Sequence, residues 1–222
     1  MGLATDGETL FVATSGGAVF ALQASTGDIQ WAATYPRRTI EVMDVRRRIQ
    51  IRNGAVVDFE PTNLNLPLAN FISPQLDVVL MLASDSDQLL AFDRRNGSLK
   101  WEAPLGLDLA HSCREVLGVT SERIVLGGTQ LTRAYDLKGG RVVWEAIHPV
   151  ASGRGMLLGD SVYVPLRNTI LRLDGKSGEV RGESVVPSLD GLPVGNLSTD
   201  GKRIIVSGPG VVMALVPKED KK

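Results

Sequence analysis

One short frame recurs along this chain and limits what it can fold into. Ala91-Phe92-Asp93 closes an apolar run, Gly97 follows four residues after Asp93, and Trp101 follows four after Gly97. The frame returns as Ala134-Tyr135-Asp136 with Gly140 and Trp144, and as Ala21-Leu22-Gln23 with Gly27 and Trp31. A fourth copy, Leu173-Asp174 with Gly178 and Gly182, keeps the turn and loses the tryptophan. The chain has three tryptophans, and each stands four residues after a repeat glycine. Each copy reads as strand, tight turn, strand: the aspartate accepts hydrogen bonds from turn amides and the glycine supplies a positive φ. Self-similarity at a spacing of tens of residues marks a repeat architecture, so the period comes before any single residue.

Around these turns the sequence alternates apolar and polar residues in short runs, which favours strands over helices. The first unit gives Leu10 to Ala13, Ala18 to Leu22, and an outer strand leading to Trp31. The second gives Phe71 to Ser73, Val78 to Ala83, Leu89 to Phe92 and Ser98 to Glu102. The third gives Val116 to Thr120, Ile124 to Gly127, Leu131 to Tyr135 and Val142 to Glu145. The fourth gives Met156 to Leu158, Ser161 to Val164, Thr169 to Leu173 and Glu179 to Glu183. A fifth runs from Asn196 through Arg203–Ser207 to Val211–Val216, where Val216 stands in place of the aspartate and a charged tail, 217–222, follows. No amphipathic helix is evident. The expectation is an all-β chain of about five four-stranded antiparallel units, treated as one domain over 1–222.

Residues 37–68 break the rhythm. Repeat glycines 27 and 97 are 70 apart, against 43 from 97 to 140 and 38 from 140 to 178. The inserted stretch carries Arg37, Arg38, Arg46, Arg47, Arg48 and Arg52 among a few carboxylates. Asn53-Gly54 is a hairpin signal, predicting strands over Arg47–Ile51 and Ala55–Phe59. Two readings stand side by side: a solvated rim loop, or a contact for an anion or a partner. No aromatic interleaves with the arginines to stack a base, which argues against nucleic acid.

Composition removes several classes of function. Net charge is −1, so no global field draws the molecule to nucleic acid or an anionic membrane. Cys113 is the only cysteine, which rules out an internal disulfide and a multi-cysteine metal site. No apolar run reaches the roughly 18 residues of a membrane span. Met1-Gly2 leads straight into repeat sequence without a basic or apolar leader, so the chain reads as a segment of a larger multidomain protein. His111-Ser112-Cys113 puts a base and nucleophiles side by side, but neighbours on a strand face opposite ways and no orienting carboxylate is indicated. Cys113 reads as a small buried or loop residue and His148 as a turn residue before Pro149. Asp85-Ser86-Asp87 lacks the glycine and distal glutamate of a calcium loop and reads as a polar turn. Gly153-Arg154-Gly155 reads as a place of close backbone approach.

The pattern Ala-x-Asp-x-x-x-Gly-x-x-x-Trp, after two short strands, resembles the repeat of the pyrroloquinoline-quinone (PQQ)-like β-propellers. That family includes the quinoprotein alcohol dehydrogenases and the non-enzymatic lipoprotein of the outer-membrane barrel-assembly machinery. The match is specific in units two and three. It is degraded in unit one (Gln23 for Asp), in unit four (Gly182 for Trp, Arg172 for Ala) and in unit five. A four-stranded blade cannot bury both faces alone, so blades stack around an axis. The resemblance implies structural roles for Trp31, Trp101 and Trp144: the ring wedges against a neighbouring blade while the N–H finds a backbone carbonyl. Gly27, Gly97, Gly140, Gly178, Asp93, Asp136 and Asp174 are the matching turn residues. Family propellers have seven or eight blades. About five here imply a small ring or part of a larger propeller, with homodimerisation a way to cover an open array.

The active quinoproteins hold their quinone over a tryptophan beside a vicinal disulfide, with a calcium set and an aspartate base. A lone cysteine cannot supply that disulfide, and neither the calcium set nor the base falls on a motif here. The expected function is therefore a non-catalytic scaffold without cofactor or metal, binding a protein or peptide partner in the cell envelope. The candidate contacts are Arg46, Arg47 and Arg48 of the insertion, with Arg154 and Asn196 near the funnel. A remnant quinoprotein dehydrogenase and a purely architectural segment are the competing readings.

Overall fold

The structure, a computed structural model, describes residues 2–37, 49–52, 55–59, 71–75, 77–106, 113–186, 193–208 and 211–216. Among these residues all regular structure is β. The chain forms two compact units, Met1–Leu109 and Ala110–Lys222. In the first, β1 (Gly2–Thr5), β2 (Thr9–Ala13), β3 (Ala18–Gln23) and β4 (Ile29–Thr34) form an antiparallel meander, blade 1. A hairpin of β5 (Ile49–Arg52) and β6 (Ala55–Phe59) follows, as Asn53-Gly54 predicts. Its first strand begins at Ile49; Arg46, Arg47 and Arg48 lie outside the described residues. Blade 2 is the meander of β7 (Phe71–Pro74), β8 (Val78–Leu82), β9 (Gln88–Asp93) and β10 (Leu99–Pro104).

The second unit repeats the plan. Blade 3 comprises β11 (Cys113–Val119), β12 (Arg123–Gly128), β13 (Leu131–Asp136) and β14 (Val142–Ile147). Blade 4 comprises β15 (Met156–Leu158), β16 (Ser161–Pro165), β17 (Thr169–Asp174) and β18 (Val180–Val185). Blade 5 has three strands among the described residues: β19 (Asn196–Thr199), β20 (Ile204–Gly208) and β21 (Val211–Leu215). The tail at 217–222 lies outside them.

The four repeat turns have one geometry. The amides of Gly27, Gly97, Gly140 and Gly178 donate to the carbonyls four residues back at 2.8, 2.9, 3.1 and 2.8 Å. In return, the amides of Gln23, Asp93, Asp136 and Asp174 donate to the carbonyl just past each glycine. Each glycine has φ between +67° and +79°, where a side chain is strained. The aspartates do what the sequence predicts. Asp93 Oδ1 accepts from the Arg95 amide at 2.9 Å, and Asp174 Oδ1 from the Lys176 and Ser177 amides at 2.8 Å each. Asp136 accepts from the Lys138, Gly139 and Arg141 amides. Blade 1 has Gln23 instead, and Thr26 and Asp28 bond to each other across its turn at 2.7 Å.

Past each turn the outer strand carries a register shift that sets the fourth residue after the glycine opposite the alanine of the frame. Ala21 faces Trp31, Ala91 faces Trp101 and Ala134 faces Trp144. A methyl group there leaves room for the indole. Where the indole is gone, Gly182 faces Arg172.

All three indoles are buried, and two show how blades are joined within a unit. Trp31 lies over the blade 2 turn and its Nε1–H donates to the Arg94 carbonyl at 3.0 Å. Trp144 lies over the blade 4 turn and donates to the Gly175 carbonyl at 3.2 Å. A Cβ on Gly97 would sit 2.4 Å from Trp31 Cε3, and one on Gly178 2.5 Å from Trp144 Cε3. The repeat glycine therefore meets two demands: positive φ in its own turn, and a flat seat for the preceding blade's indole. Behind Trp31, a buried core of Phe11, Ala21, Val79, Met81, Leu90 and Phe92 joins blades 1 and 2. Behind Trp144, Val125, Ala134, Val162, Val164, Leu171 and Leu173 join blades 3 and 4.

Truncating Trp31 or Trp144 to alanine is expected to cost about 3–5 kcal/mol in urea unfolding, through lost packing and an orphaned carbonyl. Gly97→Ala and Gly178→Ala should cost about 3 kcal/mol or more, because the indole must lift as well. Gly27→Ala, with no atom within 4 Å of the new Cβ, should cost only the roughly 1–2 kcal/mol of left-handed strain.

The turn carboxylates also set a pH dependence. The Arg95 amide and Lys100 hold Asp93 below the ordinary carboxylate value of 3.8. The Arg181 guanidinium and the Ser177 and Lys176 amides hold Asp174 well below it. A carboxyl whose folded pKa is depressed favours the folded state while ionised; that contribution is present above about pH 4 and is lost as the pH falls through the folded value. The urea midpoint should therefore drop between about pH 4 and pH 2. An Asp93→Asn/Asp174→Asn variant should be less stable at pH 7 and show a shallower acid drop.

Candidate interaction surface on the inner strands

The sequence singles out Arg154 and Asn196, and the structure brings them together. Both are exposed. The backbone N–H of Arg154 donates to Asn196 Oδ1 at 2.9 Å, and its carbonyl accepts the Leu197 N–H at 2.8 Å. Its guanidinium Nη2 donates to the Val116 carbonyl on β11 at 2.9 Å. From the loop just before β15, one residue thus straps the first strand of blade 3 to that of blade 5. Tight backbone approach permits it: a Cβ on Gly153 would lie 2.5 Å from the Gly195 carbonyl carbon, and one on Gly155 2.6 Å from the Tyr163 oxygen. The reading of Gly153-Arg154-Gly155 as a site of close approach therefore holds.

Glu115 was not legible as part of this group. Burial pushes its carboxyl up, while the nearby Arg154 guanidinium and the Gly155 amide pull it down. Arg154 uses one guanidinium N–H on Val116; its other donors meet no hydrogen-bond acceptor among the described residues. The result is a polar group tied to strands β11 and β19, with Arg154 donors and the Asn196 amide facing solvent.

Other polar clusters are internal braces. Tyr35 Oη donates to Asp85 Oδ1 at 2.8 Å and Arg37 Nε to Asp85 Oδ2 at 2.8 Å, so the 85–87 turn joins blade 1 to blade 2. Burial pushes the Tyr35 phenol strongly up. Beside the Trp31 seat, a cleft of about 360 Å³ is lined by Asp6, Glu8, Gln30, Asp77, Arg94 and Arg95, with an Asp6–Arg94 ion pair.

The residues weighed as a nucleophilic group separate into two cases. His111 and Ser112 lie outside the described residues. Cys113 is fully buried at the start of β11, and burial pushes its thiol up to about 12. Nearby, Arg133 is paired with Glu145 and donates to the Tyr135 hydroxyl at 3.1 Å. His148 lies in the connection after β14, before Pro149, and is buried. With its proton on Nδ1 it donates to the Pro149 carbonyl at 2.8 Å and accepts from Thr132 Oγ1 at 3.0 Å. Burial lowers its pKa, keeping it neutral.

Repeated four-stranded meanders joined by an indole on the next blade's turn define a β-propeller of PQQ-like blades. The chain belongs to the family described as outer membrane protein assembly factor BamB, whose model matches residues 1–64 and 68–216. Among solved structures it is similar to BamB from Moraxella catarrhalis, at 17% identity and a TM-score of 0.57 over 92% of this chain and 56% of that one. It is also similar to the C-terminal WD40 domain of Sif2, at 15% identity and a TM-score of 0.61 over 96% of this chain and 56% of that one. Saccharomyces cerevisiae Sqt1 aligns at 14% identity and a TM-score of 0.63 over 98% of this chain and 58% of that one. The chain thus spans little more than half the length of these propellers. No curated protein matches it in sequence.

Cys113 should be inert in the native state. With Ellman's reagent, no thiol is expected to titrate before unfolding and one is expected in denaturant, because the thiolate is the nucleophile and burial suppresses it.

Proposed function

We propose that this chain is a non-catalytic propeller scaffold that holds a protein or peptide partner in the cell envelope, as one part of a larger propeller. The observation that carries this reading is the Arg154–Asn196 strap. It presents solvent-facing donors from the loop before β15 and from Asn196 on β19, positioned by hydrogen bonds to Val116 and Leu197. A loop residue bonded to two strands holds its geometry, and a guanidinium with spare donors suits the carbonyls and carboxylates of a peptide. Membership of the BamB family and likeness to WD40 propellers support an interaction module over an enzyme. The family description supports the envelope setting. Among the described residues, no helix is long and apolar enough to cross a membrane.

The insertion arginines Arg46, Arg47 and Arg48 are proposed, from the sequence, as a separate partner contact. A cluster of arginines steers an acidic partner and speeds its association.

Affinity capture from an envelope extract tests the reading. Arg154→Glu/Asn196→Ala should lose at least about tenfold of the captured partner, about 1.4 kcal/mol of binding, with circular dichroism unchanged. Reversing Arg46, Arg47 and Arg48 together should weaken capture more at low salt than at high salt. Undiminished capture by both variants would exclude this surface.

A further inference from the structure

The join of blades 1 and 2 and the join of blades 3 and 4 differ at one place beside the indole. Arg94 and Gly175 occupy the same position: each carbonyl takes the indole N–H, and each amide donates to the carbonyl of Asp77 or Asp160, at 3.2 and 2.8 Å. Arg95 and Lys176 follow them. Thr9 and Arg123 likewise match as the first residues of β2 and β12, facing Gln23 and Asp136 of the repeat frame. Glu8 and Glu122 precede these two, and their carbonyls accept from the Ala24 and Leu137 amides at 2.8 and 2.9 Å.

In the join of blades 3 and 4, Arg123 bridges the two turns, with its side chain only 16% exposed. Nη1 donates to the Lys176 carbonyl at 2.8 Å and to the Gly175 carbonyl at 3.4 Å, and Nη2 pairs with Glu122 at 3.4 Å. In the join of blades 1 and 2 the matching residue, Thr9, is too short to bridge and donates to Gln30 Oε1 at 3.2 Å. The cleft of about 360 Å³ lies there. The groups that hold the guanidinium in the other join have no partner in this one. Among the described residues, the Arg95 carbonyl and the Glu8 carboxylate make no hydrogen bond or ion pair, and neither does the Asp77 carboxylate.

Five charged side chains line the cleft. Arg94 is committed to Asp6 and, at 3.3 Å, to the Gln75 carbonyl. Glu8, Asp77 and Arg95 are exposed, and their charges are unpaired among the described residues. Three carboxylates against two guanidiniums leave one negative charge, which a single cation balances. A guanidinium suits this setting better than an ammonium, because its planar fork of donors can serve a carbonyl and a carboxylate together.

We propose that the cleft takes a guanidinium from outside, on an arginine side chain of a partner chain, in the place that Arg123 fills in the other join. It donates to the Arg95 carbonyl and pairs with Glu8, as Arg123 does with Lys176 and Glu122, and Asp77 supplies a second carboxylate. This site lies in the first unit and does not depend on the partner held at Arg154.

Backbone amide NMR shifts of the full chain, titrated with acetyl-Gly-Arg-Gly-amide, test the proposal. The Glu8, Thr9 and Arg95 amides should shift to saturation, less readily at high salt, while the uncharged citrulline peptide should leave them unmoved. Glu8→Gln/Asp77→Asn should raise the apparent Kd about tenfold or more, with circular dichroism unchanged. Thr9→Arg supplies the guanidinium from within, so it should abolish the peptide response and raise Tm by about 3 °C. No saturable response, equal shifts with the citrulline peptide, or undiminished binding by Glu8→Gln/Asp77→Asn would overturn the proposal. Tighter binding of free arginine than of the peptide would overturn the assignment to a partner chain.

Discussion

The contact on which the rest depends is an indole lying flat on a glycine. At Trp31 and Gly97, and again at Trp144 and Gly178, the ring reaches the backbone of the next blade because no Cβ intervenes. Its N–H then satisfies a turn carbonyl that would otherwise face the interior of the join. Burial of a large apolar ring and satisfaction of a backbone acceptor come from the same side chain. Neither demand can be met separately: a bulkier residue at the glycine would both strain the turn and lift the ring. The alanine opposite the tryptophan completes the geometry, and Arg172 opposite Gly182 shows the pair changing together where no indole makes the join.

That mode of joining leaves the first strand of each blade for other work. With cohesion concentrated in the outer strands and in the apolar faces behind them, the loop before β15 and the first strand of blade 5 can carry the exposed polar residues Arg154 and Asn196. Arg154 belongs both to the frame and to the surface: its backbone is sewn to blade 5, one N–H to blade 3, and the remaining donors face solvent. The titratable groups deeper in the same unit contrast with it. Cys113 and His148 are buried, and each is held in its neutral form by its surroundings. Their proximity to Arg133, Tyr135 and Thr132 serves packing and satisfies polar atoms.

Much of the fold was legible because it rests on local rules. Aspartate, glycine and tryptophan at fixed spacing specify a turn, a positive φ and a bulge, which any four-stranded meander can use in isolation. Asn53-Gly54 specified its hairpin for the same reason. Candidate site residues were legible only in part. Arg154 and Asn196 drew notice through flanking glycines and position, yet nothing in the sequence indicates that they bond to each other across 42 residues. Glu115 and the Tyr35–Asp85–Arg37 brace gave no signal at all, since their partners come from different blades.

By itself, the sequence determined the unit: its strands, its turn chemistry, and the residue types able to join one unit to the next. Only the tertiary structure decided which surfaces those units cover and which they leave open. A strand pattern reports that a face is apolar, because side chains alternate with a period of two. Whether a neighbour buries that face depends on the packing of sheets distant in sequence. Leu10, Leu22, Val12 and Phe20 read like Val79, Phe92, Met81 and Leu90 of blade 2, and only the coordinates distinguish the half-covered set from the covered one.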